Sequence, residues 1–125
     1  MPTPTPFINV QVIAIPQLDP TTGEVKYNTT FIPEMITVKE SDTVINYQLI
    51  APTPVGVEIK GLSVNPDNTH QLSKPSISES GKLVTFSDAN TEKITLNITI
   101  TFKDTDGVEF CVDPEVQNDP DPRAP

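Results

Sequence analysis

Apolar and polar residues alternate with period two along much of the chain, which is the repeat of a half-buried β-strand. The alternation is cleanest over 94–102. Ile94, Leu96, Ile98, Ile100 and Phe102 fall on one face of an extended chain, and Thr95, Asn97, Thr99 and Thr101 on the other. A helical repeat of about 3.6 residues cannot gather those five apolar side chains into one stripe. The same pattern predicts strands over 7–15, 24–29, 35–39, 43–50, 57–64, 82–87 and 108–112. Within 57–64 the parity flips at Gly61, which predicts a bulge. The threonine-rich row of 95–101 reads as a solvated outer sheet face.

Turn chemistry separates these runs. Asp19-Pro20-Thr21-Thr22-Gly23 and Asp104-Thr105-Asp106-Gly107 have the composition of hairpin loops. Asn65-Pro66-Asp67-Asn68 and Ser80-Gly81 are further breaks, and the stretch between them, Asn65 to Gly81, is irregular and holds the single histidine, His70. No amphipathic helix and no internal repeat appear. About seven or eight short strands with frequent turns predict an all-β fold, an antiparallel Greek-key β-sandwich of immunoglobulin-like or cupredoxin-like topology. Its expected core is the apolar face of 94–102 joined by Val108, Phe110, Ile45, Tyr47, Leu49, Val10 and Val12.

The length, 125 residues, fits one domain spanning 1–125. Proline modifies that picture at the ends. Pro2, Pro4 and Pro6 crowd the N-terminus, and Pro114, Pro120, Pro122 and Pro125 the C-terminus. Segments 1–6 and 113–125 are therefore expected to form extended arms, with 113–122 held against the body or a second copy. The net charge is -9. Residues 104–125 hold seven acids against Arg123 alone, so -6 of that charge lies in the C-terminal stretch. If such an arm serves assembly, its charge should repel unless it meets Lys or Arg, and the candidate partners are Lys26, Lys39, Lys60, Lys74, Lys82, Lys93 and Lys103. The charge also repels a phosphate backbone, so no nucleic-acid partner is expected. No apolar run reaches the length of a spanning helix, so no membrane partner is expected. Cys111 is the single cysteine, which excludes an intrachain disulfide. Met1-Pro2-Thr3-Pro4-Thr5-Pro6 lacks the basic and apolar regions of a signal peptide, and a cytoplasmic location is the default expectation.

Two stretches carry resemblances. Phe31-Ile32-Pro33, Ile36-Thr37-Val38-Lys39 and Ser41-Asp42-Thr43-Val44 resemble an early strand pair of the cupredoxins, with Ser41 in place of the usual glycine. Gly107-Val108-Glu109-Phe110-Cys111 is similar to the strand that delivers their copper cysteine. That likeness implies a sandwich fold but not copper, because a blue-copper site takes two imidazoles and a thiolate. The chain has one histidine, and neither His nor Met follows Cys111. In the tail, Asp113-Pro114-Glu115 followed by Asp119-Pro120-Asp121-Pro122 is similar to the signature of the DP-EP family, although no Glu-Pro dipeptide occurs. This second resemblance implies a bacterial origin and supplies no activity.

Chemistry-bearing residues are sparse. Cys111 and His70 lie 41 positions apart with no motif around either, and a carboxylate beside a thiol raises its pKa, the wrong direction for a nucleophile. Asp104-Thr105-Asp106-Gly107 resembles the opening of a calcium loop. Asp104, Asp106, Asp113 and Glu115 are the candidate metal ligands, although the EF-hand spacing is not met. Asn28-Thr29-Thr30 and Asn97-Ile98-Thr99 match the glycosylation pattern and are read as ordinary strand residues. No Walker loop, dinucleotide fingerprint, zinc-binding cysteine set or serine elbow is present, so no cofactor is expected. The chain reads as a non-enzymatic binding or assembly module, acting on a protein partner or a second copy through its arms. A calcium-binding sandwich is the alternative.

Overall fold

The computed structural model describes residues 5–65 and 70–120. Among these, the chain forms strands throughout and no helix: β1 (Phe7–Leu18), β2 (Val25–Ile32), β3 (Ile36–Val38), β4 (Thr43–Leu49), β5 (Glu58–Asn65), β6 (Ser76–Ile77), β7 (Leu83–Asp88), β8 (Ile94–Lys103), β9 (Glu109–Val112) and β10 (Glu115–Asn118). They build two packed sheets. One has the order β2-β1-β4-β7-β6, and the other β3-β10-β8-β5 with β9 also on β8. Most pairs are antiparallel, as the alternating pattern implies. The pairs β1–β4 and β3–β10 are parallel, so both sheets are mixed.

Alternation decides which side chains meet between the sheets. Val10, Val12 and Ala14 of β1, Ile45, Tyr47 and Leu49 of β4, Val84 and Phe86 of β7, and Leu96, Ile98, Ile100 and Phe102 of β8 are all buried. Burying an aliphatic or aromatic side chain of this size is worth about 1.5–3 kcal/mol. Ile94 and Phe110 are half-buried against that core. Val108, expected inside, is half-buried outside it at the mouth of the β8–β9 hairpin. The predicted bulge appears in β5, where the register against β8 shifts between Ile59 and Gly61. Pro16 is tolerated within β1 because it pairs with Tyr27 one residue out of phase with the bonded Asp19–Glu24 pair, at which the Asp19 N–H donates to the Glu24 carbonyl. Its missing N–H therefore points away from β2.

Both expected hairpin turns form. Asp19 Oδ1 accepts the Thr21 N–H at 2.8 Å, and Asp104 Oδ1 accepts the N–H groups of Asp106 and Val108 at 2.9 Å each. Gly107 completes the second turn at φ 84°, a conformation that costs glycine little. Gly81 also requires glycine: φ is +75°, and a Cβ would lie 2.7 Å from the Glu58 Cβ.

The C-terminal segment differs from expectation. Residues 115–118, expected within an extended arm, are strand β10, hydrogen-bonded between β3 and β8. The register of β9 against β8 continues without a slip into β10, from Lys103↔Glu109 through Ile100↔Val112 to Glu115↔Asn97 and Asn118↔Ile94. Only Pro114 interrupts it. The Pro114 carbonyl accepts the Ile98 N–H at 2.9 Å, but its nitrogen has no proton to return. Residues 109–118 are thus one long partner of β8. Of the seven candidate lysines, Lys39 meets this segment, in an ion pair with Asp119. Of the expected N-terminal arm, residues 1–4 lie outside the described residues, as do 121–125 of the C-terminal one. Pro6 accepts the Val44 N–H at 2.9 Å and so is tied to the first sheet.

Candidate functional site

The four carboxylates named for calcium do not converge. Asp104 and Asp106 sit in the β8–β9 turn, whereas Asp113 lies at the other end of β9, where its Oδ1 accepts the Thr99 hydroxyl at 2.7 Å. Thr99 and Asp104 are five positions apart along β8 and the turn that follows it, a span of about 16 Å in a strand. Asp104 is also occupied: Oδ1 holds the turn, and Oδ2 accepts the Tyr27 hydroxyl at 2.7 Å. The Tyr27 hydroxyl is pushed up to about 12 by burial and by this carboxylate, while the bond from Tyr27 holds the Asp104 carboxyl below its usual range. Among the described residues, no three His, Cys, Asp or Glu side chains are placed to share a metal ion.

Cys111 is exposed on β9, with its Sγ 3.6 Å from the Thr101 hydroxyl. His70 is exposed beside Gln71, and Gln71 accepts from Asn118, which pairs with Ile94 at the far end of β8. Ile94 and Thr101 are seven positions apart along β8, about 23 Å, so the two side chains form no nucleophile–base pair. Asn28 and Asn97 lie on exposed positions within β2 and β8.

What the fold does assemble is a groove on the flank where the two sheets meet. Tyr27 of β2 stacks on Phe110 of β9, with ring centroids 4.2 Å apart and planes within 9°. Beyond that stack the flank opens into a groove of about 580 Å³. Phe31, Met35, Val112 and Pro114 supply its apolar surface, and Glu34, Asp113 and Glu115 its carboxylates. Among the described residues, neither Lys nor Arg lines it. Phe31 is anchored by an edge contact with Tyr47, centroids 6.0 Å apart, whereas Met35 is 45% exposed.

The β9 backbone borders this groove. The Asp104 N–H donates to the Val108 carbonyl at 3.0 Å and the Ile98 N–H to the Pro114 carbonyl at 2.9 Å. These bonds fix the phase of the ladder. Phe110 and Val112 turn their backbone groups toward β8, and Glu109, Cys111 and Asp113 turn theirs away. Beside β10 that outer edge is taken by β3, and the Asp119 N–H donates to the Val38 carbonyl at 2.9 Å. Beside β9 no described strand takes it.

A second polar assembly lies at the opposite end of β8. Asp88, at the end of β7, is fully buried, and so nearly are Asn90 and Asn118. Asp88 Oδ1 accepts the Asn90 N–H and the Asn118 Nδ2, each at 3.0 Å. Asn118 Nδ2 also donates to Gln71 Oε1 at 3.1 Å, and Gln71 Oε1 accepts the Thr91 N–H at 2.9 Å. The network links the first sheet, through Asp88, to the second, through Asn118. Burial pushes the Asp88 carboxyl up, against the opposing effect of its bonds from Asn118 and Asn90. Nearby, the Lys39 ammonium holds the Asp119 carboxyl below its usual range.

Neither assembly was apparent from the sequence. Glu34 and Met35 border a turn, and their partners in the groove lie about 80 residues later. Asp88, Asn90 and Asn118 carry the letters of turn residues. Pro33 in Phe-x-Pro and the Asp-Pro pair at 113–114 were the available signals, since each proline ends or interrupts the bonding of a ladder.

The DP-EP family matches residues 6–120 of the chain. No curated protein matches it.

Proposed function

The chain belongs to the DP-EP family, a membership that assigns no activity, and we propose that it is a non-catalytic binding module whose flank groove takes an extended, positively charged polypeptide segment. One observation carries this reading: the groove combines an open strand edge, an apolar floor and three carboxylates, with no cation among the described residues that line it. An extended segment laid along β9 would exchange backbone hydrogen bonds with Glu109, Cys111 and Asp113. Alternate side chains of that segment would face the floor at Met35 and Val112. Lysine or arginine between them would meet Glu34 and Glu115. A second copy of this acidic chain is a poorer occupant, because like charges would face each other across the groove. The protein by itself is therefore expected to be a monomer.

The finer description of the sandwich as cupredoxin-like belongs to the same proposal. Its support is that the Phe31–Val44 stretch ends β2, crosses between the sheets as β3 and begins β4, with β3 parallel to the strand that follows the cysteine strand.

Titration with a decapeptide of alternating lysine and valine, followed by amide shifts, tests the binding reading. Saturable shifts at Glu109, Cys111, Asp113 and Met35 are expected. The double substitution Glu34→Gln, Glu115→Gln should weaken binding about tenfold, as expected for two partly exposed charge pairs. An alternating glutamate–valine peptide should not bind. Absence of shifts at millimolar cationic peptide, or unchanged affinity in the double variant, would overturn the proposal.

A further inference from the structure

We propose that the buried oxygens of Asp88, Asn90 and Asn118 form a binding site for a hard cation, calcium or sodium, at the end of the sandwich remote from the acidic hairpin. Asp88 Oδ2, Asn90 Oδ1 and Asn118 Oδ1 are all buried and, among the described residues, have no hydrogen-bond partner. Their residues are 0%, 3% and 2% exposed, respectively. They belong to one connected group, because Asp88 Oδ1 accepts from both asparagines. All three orphaned atoms are acceptors, and one belongs to a carboxylate.

Buried acceptors in a folded protein are satisfied in nearly every case. What fills this cage must supply donors or positive charge. A proton on Asp88 supplies a single donor, which leaves an oxygen orphaned. A water molecule supplies two and leaves the carboxylate charge in place. A cation bound between these three oxygens would satisfy them and neutralise the charge in one step. A carboxylate with two amide carbonyls is an all-oxygen set, suited to hard ions and not to zinc or copper. Calcium and sodium share that chemistry. Magnesium, which demands a tight octahedron and sheds water reluctantly, does not suit a cage of three fixed protein oxygens.

The charged groups around the cage leave the position to an ion. No described ion pair involves Asp88; Lys39 is engaged with Asp119, and Lys93 acts on that same carboxylate. From the β3–β4 connection, Glu40 contributes its backbone carbonyl, which accepts Asn90 Nδ2 at 3.3 Å. Asn118 also lines a surface depression with Asp119 and Gln117, so the cage lies next to solvent at that end of the sandwich.

The test is thermal melting of the full chain, stripped with chelator and dialysed into choline chloride at pH 7.5. Calcium chloride or sodium chloride is then added, with choline chloride at matched ionic strength as the control. The midpoint should rise saturably by about 5–10 °C at hundredfold excess over the dissociation constant. A response to micromolar or low millimolar calcium identifies calcium, and one seen with sodium alone identifies sodium. Magnesium should do no more than choline. Asp88→Asn should abolish the ion-specific rise. Should that variant fail to fold, Asn90→Gly carries the test: it removes one cage oxygen at a position whose φ of 53° glycine accepts, and should weaken the response at least tenfold. Equal midpoints in all salts, or an ion response that survives either substitution, would overturn the proposal and leave a cage filled by water and a proton.

Discussion

Asp88 is the residue at which this fold concentrates its electrostatic cost. Its carboxylate is withdrawn from water between the sheets, and the hydrogen bonds it accepts come from neutral groups. Burial holds its pKa above that of the unfolded chain. The native state therefore binds the proton more tightly than the unfolded state does. Stability conferred by the neutral form is complete below the unfolded value near 3.8 and is lost as pH rises through the folded pKa. Asp88→Asn removes that titration and supplies donors for the orphaned oxygens of Asn90 and Asn118. In choline buffer at pH 7 the variant should be more stable than the parent by about 1–2 kcal/mol, the scale of a buried polar group gaining a partner. The advantage should shrink as pH falls toward 4. Urea denaturation at pH 4, 5.5 and 7 measures this. A variant less stable than its parent at pH 7 would show that the carboxylate is compensated even in the absence of ions.

At the scale of the element, β10 has a role out of proportion to its four residues. It joins β3 to β8 and buries Val116 completely. Truncation after Val112 should therefore abolish cooperative unfolding. The milder Val116→Ala should cost about 2 kcal/mol, against less than about 0.5 kcal/mol for Val55→Ala, whose side chain is 88% exposed. Equal urea midpoints for the two variants would contradict the placement of β10. This strand also marks where reading from sequence gives out. β8 was legible because five apolar residues in alternation admit one answer, and Asp19–Gly23 and Asp104–Gly107 were legible because their turns are satisfied locally. Glu115-Val116-Gln117-Asn118 offers one apolar residue, and its proline-flanked acids suggest an arm. Its strand character comes from the register of β9 carried past Pro114 and from the open edge of β3, both long-range. Ser76–Ile77 was missed for a similar reason, since two residues carry no period. The groove and the oxygen cage depend on the same long-range pairings.

For the whole molecule, the excess of acids poses a question of sign. Seventeen carboxylates face eight cations, and folding compresses that charge, so screening should favour the compact state. Screening also weakens attractive pairs. Among the described residues these are Lys26–Asp19 at 4.0 Å, Lys60–Glu58 at 3.8 Å and the closer Lys39–Asp119. Exposed pairs of this kind contribute roughly 0–1 kcal/mol each, and every lysine involved is about half exposed or more. The repulsion is concentrated instead: -6 of the -9 falls within 104–119, from the β8–β9 turn to the end of β10, and Glu34 lines the groove together with Asp113 and Glu115. Charges about 10 Å apart still interact at low salt and are largely screened above about 0.1 M. Repulsion should therefore win. Raising choline chloride from about 0.02 to 0.5 M, which shortens the screening length severalfold, should raise the melting midpoint by a few degrees, and Glu34→Gln, Glu115→Gln should flatten that rise. Choline is the necessary cation because sodium would add the effect of the cage to that of screening. A midpoint that falls with choline chloride would place the balance with the ion pairs, and Lys39→Met, which removes the closest pair, should then abolish the fall.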